Sequence, residues 1–463
     1  MIADLKPYAE YKESGLPWLG QVPGHWEVRP AFGAFVPNRE RNHGMKEKTV
    51  LSLSYGRIVI KPAEKLHGLV PESFETYQIV KPGDIVLRTT DLQNDHTSLR
   101  VGMVRDRGII TSAYLALRVN TGVSPNFGFQ FLNVWDMSKA IYGYGSGLRQ
   151  GLDFSHFKRM PVAVPPPAEQ AAIVRFLDWA NGRLERAIRA KRKVIALLNE
   201  QKQAIIHRAV TRGLDPSVPL KPSGIPWLGD IPQHWGIVRN MALFAHRVEA
   251  GVAGLPVFQV SLRSGITAED LDQFGRPKKL ITDTTKYKRI YRGDIAYNTM
   301  RMWQGAVGVS PSDGLVSPAY VVLSPRGGTC PDFYDFIFHT DIYKQQVNRQ
   351  STGIVSDRNR LYWDSFKQMP SVALPSSEQE AIVAFIYSQT SGLNAARARL
   401  EREIDLLREY RTRIVADVVT GKLDVREAAA QLPEEAAPDT STELAGEMLD
   451  DAGNLDEVEA EET

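Results

Sequence analysis

The stretch SGLPWLG at residues 14–20 recurs almost unchanged as SGIPWLG at residues 223–229, an offset of 209 residues. The stretch PxHW at residues 23–26 recurs as PxHW at 232–235 with the same offset. Self-similarity at one long period is typical of a chain built from two copies of one architecture. The sequence therefore predicts two halves with the same fold.

The repeat continues through both halves. Residues 83–85, 113–114, 157–161 and 169–170 match 293–295, 319–320, 366–370 and 378–379, and the changing offset indicates small insertions and deletions. Between these anchors the halves differ, since residues 91–100 have no counterpart near 300–308. A shared frame with different middles is expected of two binding modules with different targets.

The composition is that of a soluble globular chain of two or more domains. Apolar residues make up 43% and charged residues 24% of the 463 residues. The sequence contains no apolar run of about 18 residues and no signal-peptide pattern at its start. Cys330 is the single cysteine, which excludes an internal disulfide and a cysteine metal cluster. We expect a protein of the reducing cytoplasm.

Charge is divided unevenly along the chain. Of the 54 acidic residues, 13 follow Arg426, where no Lys or Arg occurs. The 56 basic and remaining 41 acidic residues give the preceding body a net charge of +15. A basic body suggests a polyanionic partner, although surface charge that only maintains solubility is the alternative.

Each half divides into an α+β head and a long helix. Alternating apolar residues predict strands at 50–53, 85–88, 115–119 and 319–323, and helices are expected near 127–140 and 332–347. Prolines at 165–167 and 375 mark breaks, each followed by a long helix, the first from Glu169 to about Thr211.

Both long helices show seven-residue spacing of apolar side chains. In the second helix the positions are Ile386, Leu393, Leu400, Leu407 and Ile414; in the first they are Leu177, Leu184, Lys191, Leu198 and Ile205, with Ile173, Ala180, Ala187 and Val194. This spacing predicts a coiled coil, and about 40 residues give a rod of roughly 60 Å. A helix packed on a globular core is the alternative.

The fold class predicted is α+β, with two pseudo-repeated globular α+β domains separated by two long antiparallel coiled-coil helices. The predicted boundaries are 1–165 for the first head, 166–212 for the first helix, 213–374 for the second head and 375–426 for the second helix. Residues 427–463 form an acidic tail without periodicity, which we expect to be disordered.

Motifs for several enzyme classes are missing. The single Gly-Lys pair, Gly421-Lys422, precedes Leu423 and is no phosphate-binding loop. The prolines at 165–167 precede Ala168, so the motif that holds a flipped base for amino-group methylation is missing. We also find no Gly-x-Gly-x-x-Gly cofactor loop and no carboxylate cluster with a nearby Lys. The sequence predicts no catalytic residue, no metal site and no cofactor bound by this chain.

The doubled motifs resemble those of type I restriction-modification specificity subunits. The opening G-[LI]-PWLG…PxHW, the turns at 81–85 and 292–295, and the stretches PPPAEQ (165–170) and PSSEQ (375–379) are similar to those of that family. The resemblance covers residues 10 to 426.

The resemblance implies that each head is a target-recognition domain for one half of a bipartite site in double-stranded DNA. The helices would fix the distance between the half-sites and dock two methyltransferase (M) subunits, with motor-nuclease (R) subunits joining for restriction. S-adenosylmethionine, ATP and Mg²⁺ would then be bound by those partners, and no membrane is involved.

Candidate DNA contacts lie in loops that carry cations and planar donors, the residue types that bind phosphates and base edges. For any one of them, a solvated surface charge is an equal alternative. In the first head they are Arg39, Arg41, Lys46, Arg88, Gln93, Asn94, Tyr144, Arg149 and Gln150; in the second they are Arg263, Asn298, Arg301, Gln304, Arg349 and Arg358.

Two other classes of protein remain open on the sequence alone. One is a coiled-coil interaction scaffold that does not bind DNA. The other is a subunit of an enzyme whose active site has no recognised motif.

Overall fold

The computed structural model describes residues 5–62, 73–90, 92, 98–144, 151–226, 228–262, 265–268, 284–353 and 359–433. The chain forms two compact units: unit 1 is residues 1–190 with 403–463, and unit 2 is residues 191–402. Each unit combines one head with the beginning of one long helix and the end of the other. Each long helix is therefore shared between the two units. The boundaries drawn from the sequence instead treat each helix as a separate segment between the heads.

Unit 1 contains one head of short strands and helices. Its main helix is α2 (Pro125–Met137), which a 3₁₀ turn at Ala140–Gly143 follows. Ser124 caps α2 by accepting from the Phe127 N–H, and Pro125 occupies the first helical turn, where no N–H is needed. Its elements are β1 (Tyr11–Glu13), β2 (Gln21–Pro23), β3 (Glu27–Pro30), α1 (Ala31–Ala34), β4 (Phe35–Pro37), β5 (Leu51–Ser54), β6 (Arg57–Ile60), β7 (Gln78–Val80), β8 (Ile85–Leu87), β9 (Val101–Met103), β10 (Gly108–Ile110), β11 (Leu115–Val119), α2 (Pro125–Met137), α3 (Phe154–Phe157) and β12 (Pro161–Val164).

Unit 2 repeats this order after the first long helix, α4 (Pro167–Arg212). The second long helix, α9 (Ser376–Val419), precedes a short helix, α10 (Arg426–Ala430). The head of unit 2 contains β13 (Leu220–Pro222), β14 (Asp230–Pro232), β15 (Gly236–Arg239), α5 (Asn240–Leu243), β16 (Phe244–Arg247), β17 (Val257–Ser261), β18 (Gly265–Ala268), β19 (Lys288–Ile290), β20 (Ile295–Asn298), β21 (Val307–Val309), β22 (Gly314–Val316), β23 (Tyr320–Pro325), α6 (Pro331–Phe338), α7 (Asp341–Gln350), α8 (Trp363–Phe366) and β24 (Pro370–Ala373), with 3₁₀ turns at Thr284–Lys286 and Met302–Gln304.

The sheets have the same topology in both heads. A four-stranded antiparallel sheet has the order β4-β11-β8-β9 in unit 1 and β16-β23-β20-β21 in unit 2. In unit 2 a second sheet has the order β18-β17-β22-β19, with β17 parallel to β22. Unit 1 has two corresponding antiparallel pairs, the hairpin β5-β6 and the non-consecutive pair β7-β10, joined by a parallel bridge from Val50 to Ile109. The internal repeat of the sequence is thus a repeat of the fold.

The strands and helices predicted from alternation are present, with one correction. The helix expected near 332–347 is two helices, α6 and α7, separated at His339–Thr340. The Thr340 hydroxyl accepts from the Tyr343 N–H and so caps a new helix where the pattern predicted continuation.

The long helices begin and end as their flanking residues dictate. Gly213 and Gly421 follow their ends with φ of 69° and 76°, the left-handed conformation that terminates many helices. The buried stripe of the first long helix departs from the seven-residue spacing: Val194 is 44% exposed, and Ile206 is buried whereas Ile205 is half-buried. A helix of 3.6 residues per turn drifts by about 20° per heptad from a seven-residue repeat, which accounts for this shift.

Candidate nucleic-acid interface

Each head binds the start of the helix that follows it through one glutamate, termed here the carboxylate anchor: Glu169 in unit 1 and Glu378 in unit 2. Glu169 accepts from the indole N–H of Trp26 at 2.8 Å, and its other oxygen lies 2.8 Å from His25 Nε2. Glu378 has the same partners in unit 2, Trp235 at 3.0 Å and His234 at 2.8 Å. The twice-repeated His-Trp pair is therefore a packed structural contact in both units.

The glutamine after each carboxylate anchor ties the helix to a neighbouring turn. Gln170 accepts from the Ser124 N–H and donates to the carbonyls of Gly122 and Pro165. Gln379 makes the equivalent three bonds in unit 2, to Cys330, Gly328 and Leu374. All donors and acceptors of these amide groups face backbone, which fixes the helix start relative to the head.

Two of the predicted contact segments meet in each head. In unit 1 the Leu152 N–H, just after the glycine-rich stretch 143–151, donates to the Thr89 carbonyl, just after β8, at 2.9 Å. In unit 2 the Leu361 N–H donates to the Thr299 carbonyl, just after β20, at 2.8 Å. The segment that leaves the central strand and the segment that precedes the last helix of the head are therefore adjacent in both units.

A second group of predicted cations lies on the segment between β4 and β5. Arg39, Arg41 and Lys46 are exposed, and Arg41 donates to the Thr76 carbonyl at 2.9 Å. The buried Asn42 side chain spans this segment, donating to the Glu47 carbonyl and accepting from the Glu47 N–H. The cations are thus presented on a pinned loop, a suitable arrangement for phosphate contacts.

Other predicted residues have structural partners. Arg88 continues the ladder beyond β8, its N–H donating to the Arg100 carbonyl at 2.8 Å. Tyr144 is half-buried, and its ring lies edge-on to Trp135 with centroids 5.5 Å apart. Burial raises the pKa of Tyr144 above its ordinary value. Most of this ring therefore packs against the head.

In unit 2 the candidates cluster after β20. Asn298 is buried, and its side-chain oxygen accepts from the Met300 N–H at 3.0 Å. Arg301 and Gln304 are half-buried in the short turn that follows, whereas Arg349 is exposed in the last turn of α7. Gln93, Asn94, Arg149, Gln150, Arg263 and Arg358 lie outside the described residues.

Some cations that charge counting would assign to DNA are used inside the heads. Arg118 bridges Glu40 and Asp84 in unit 1, and Arg247 bridges Glu249 and Asp294 in unit 2. Both aspartates also accept a hydrogen bond from the backbone N–H of the residue three positions earlier, which closes the turn before the strand. Burial raises the pKa of both aspartates, which the arginines oppose.

Sequence reasoning missed Arg100, which is fully buried beside the Thr89 junction. No signal in the sequence marks it, because its place in the repeat is taken by Ala306. The repeats of Glu-Gln and of His-Trp did mark both sides of the carboxylate anchors, although not that the two motifs contact each other.

Among the described residues, no group of three or more His, Cys, Asp or Glu side chains could hold a metal ion. Within the same ranges, no helix is both long and apolar enough to cross a membrane.

No protein-family model and no curated protein matches this sequence. Among solved structures, a chain from work on "complex assembly and conformational transition of the type I R-M system" has a TM-score of 0.57 at 14% identity, covering 87% of this chain and 99% of that one. The HsdS subunit from Thermoanaerobacter tengcongensis has a TM-score of 0.40 at 14% identity, covering 87% and 98%. The type I S subunit from M. genitalium has a TM-score of 0.32 at 11% identity, covering 85% and 96%. The chain therefore has the fold found in a type I restriction-modification system, the family that its repeated motifs resemble.

Proposed function

We propose that this chain is the DNA-specificity subunit of a type I restriction-modification complex and that it has no catalytic site of its own. Each head reads one half of a bipartite site in double-stranded DNA. The observation that carries the proposal is the pair of equivalent junctions, Leu152–Thr89 and Leu361–Thr299, which join divergent segments on a repeated frame. Two copies of one frame with different loops suit two different half-sites.

The long helices separate the heads as an antiparallel pair and fix the spacer length. Inside unit 2, Lys202 donates to Asn394 at 2.9 Å, while later residues of α4, such as Ile206, share a core with earlier residues of α9, such as Ile386. Inside unit 1, Glu185 accepts from Arg411 at 3.0 Å, while the earlier Leu177 shares a core with the later Val418. Both patterns support helices that run in opposite directions.

The two polar contacts are also equivalent under the repeat. Residues 185 and 202, shifted by 209, are residues 394 and 411. A chain whose two helices repeat in this way has two equivalent helix surfaces, one for each copy of a partner subunit. It therefore suits two copies of one methyltransferase subunit, to which motor-nuclease subunits are added for restriction.

The partners supply the chemistry. S-adenosylmethionine belongs to the methyltransferase subunits, and ATP and Mg²⁺ belong to the motor-nuclease subunits. The complex acts in the cytoplasm, where the cellular DNA and the reduced Cys330 are both expected.

Mapping of methylated adenines genome-wide, with and without this gene, tests the proposal. We expect loss of one motif made of two short half-sites around a fixed gap. An unchanged methylome, in cells where the chain co-purifies with a methyltransferase, contradicts the proposal. Duplex-DNA binding without dependence on salt would favour a different kind of contact, because phosphate contacts release counterions.

A further inference from the structure

Arg100 is a charged side chain in a place where the fold does not require one. It precedes β9, is fully buried, and belongs to the head of unit 1. The backbone contact from the end of the central strand identifies its counterpart: Arg88 donates to the Arg100 carbonyl as Asn298 donates to the Ala306 carbonyl. Ala306 is also buried, so the same frame forms in unit 2 without a guanidinium.

The Arg100 guanidinium joins the stems of two segments. One terminal nitrogen donates to the Thr90 carbonyl at 2.8 Å and to the Arg88 carbonyl at 3.3 Å. Its Nε donates to the Tyr142 hydroxyl at 3.3 Å, and the group lies 5.5 Å from the Tyr142 ring centroid. Thr90 lies three residues after β8, and Tyr142 precedes the glycine-rich stretch, so one side chain holds both segments.

Two further contacts fix this arrangement. The Arg100 N–H donates to the fully buried Asp136 side chain at 2.5 Å, which ties the residue to α2. Leu92 is fully buried in the main core of unit 1 and anchors the segment that Arg100 binds at Thr90. A buried charge is retained only where partners satisfy it, and here those partners are the two segments themselves.

Unit 2 holds the equivalent segment by a different device. The Asn298 side chain accepts from the Met300 N–H, and the Trp303 indole donates to the Met300 carbonyl at 2.9 Å. Gly305, with φ of 103°, completes this self-closed turn. The two heads therefore differ in how they shape the same place, and Arg100 is the means used by the first.

We propose that Arg100 is the positioning residue that sets the half-site specificity of the first head, acting through the two described stems that its guanidinium joins, Arg88–Thr90 and Tyr142. The inference rests on the proposed function. Arg100 cannot contact DNA itself, because it has no exposed surface. Its effect is on which bases the neighbouring loops accept, rather than on the number of phosphates bound.

Arg100→Lys and Tyr142→Phe test this role in the complex reconstituted with its methyltransferase. Lysine keeps the charge but loses the planar fork, and phenylalanine removes only the hydroxyl that Nε reaches. Methylation of cognate sites is compared with that of sites carrying one mismatch in either half. We expect discrimination in one half-site to fall about tenfold, since one base pair is worth a factor of this order, and the other half-site to be unchanged.

Tyr334→Phe is the matched control, because it removes a buried hydroxyl in unit 2 whose hydrogen bond among the described residues is to the Val372 carbonyl in the core. Equal loss of methylation at all sites, with discrimination unchanged in both variants, would show that Arg100 only stabilises the head and would overturn the inference. If the wild-type complex itself methylates no bipartite motif, the proposed function fails, and the inference fails with it.

Discussion

Replacing Glu169 with alanine is expected to destabilise unit 1 more than Glu378→Ala destabilises unit 2, although both residues make the same contact to a Trp-His pair. Glu169 has a third donor, the Tyr8 hydroxyl at 2.5 Å, where the second half has Ser217. Burial, with the adjacent Glu169 carboxylate, raises the pKa of Tyr8 well above its ordinary value, so the hydroxyl remains a donor.

The magnitude follows from the donors that each substitution leaves without a partner. Removing Glu169 leaves the Trp26 N–H and the Tyr8 hydroxyl, both buried, whereas removing Glu378 leaves one buried donor, on Trp235. Each buried donor without a partner costs about 1–3 kcal/mol, and loss of the buried carboxylate's desolvation penalty offsets part of this. We expect about 3 kcal/mol for Glu169→Ala and about 1.5 kcal/mol for Glu378→Ala.

Native-state hydrogen exchange measures the two effects separately. Amides at the start of α4 report opening of unit 1, and amides at the start of α9 report opening of unit 2. Tyr8→Phe supplies the control: in that background Glu169 has the same donors as Glu378, and Glu169→Ala should cost about 1.5 kcal/mol. Equal costs for the two substitutions in the wild-type background, or no reduction after Tyr8→Phe, would refute this account.

Three further predictions concern the helix ends, the cationic segment between β4 and β5, and the half-buried His246. Gly421→Ala should lower the thermal midpoint of unfolding more than Gly213→Ala does. Both glycines have positive φ, but an added Cβ would overlap Pro23 Cδ at position 421 and would lie no nearer than 3.5 Å to any neighbouring atom at position 213. Equal shifts in calorimetry would contradict this. Arg39→Ala should lower the slope of log K against log salt by about 1 with sequence preference unchanged in binding titrations, and an unaltered slope would remove it from the phosphate contacts. Burial, and then Lys288, hold the pKa of His246 below 6.5, so the unfolded chain binds the proton more readily and stability of unit 2 should fall as pH drops below about 6.5. Denaturant melts of His246→Gln should lack that part of the pH dependence, and an identical dependence in both proteins would exclude this histidine.

The repeat and the long helices could be predicted from the sequence because they depend on local signals. The first long helix was expected from Glu169 to about Thr211 and is Pro167–Arg212, since prolines precede it and a glycine follows it. The strand at Leu115–Val119 agrees with its predicted bounds, because the turn residues Asn120 to Gly122 end the apolar run. Because the same motifs occur in both halves, comparing the halves identifies the residues that belong to the shared frame.

The contact residues were harder to predict, because exposure and partners depend on the whole head. Tyr144 and Asn298 have the residue types of base contacts, yet the first packs on Trp135 and the second closes a turn. Arg100 has no sequence signal, since its acceptors are backbone carbonyls and a tyrosine far along the chain. Backbone acceptors are the same at every position of a sequence, so their use by a side chain can be seen only in the fold.

The distribution of repeated and unrepeated contacts follows from what each must do. The carboxylate anchors, the glutamines beside them and the glycines after the helices are the same in both units, because each unit must hold the same two helix ends. The devices that shape the loops, Arg100 in one head and the turn closed by Asn298 and Trp303 in the other, differ because nothing in the frame requires them to agree. A substitution at a carboxylate anchor should therefore destabilise a whole head. A substitution at Arg100, or in the turn closed by Asn298 and Trp303, should alter recognition of one half-site without destabilising the head. Comparing Glu169→Gln with Arg100→Lys, in stability and in half-site discrimination, separates these two kinds of contact.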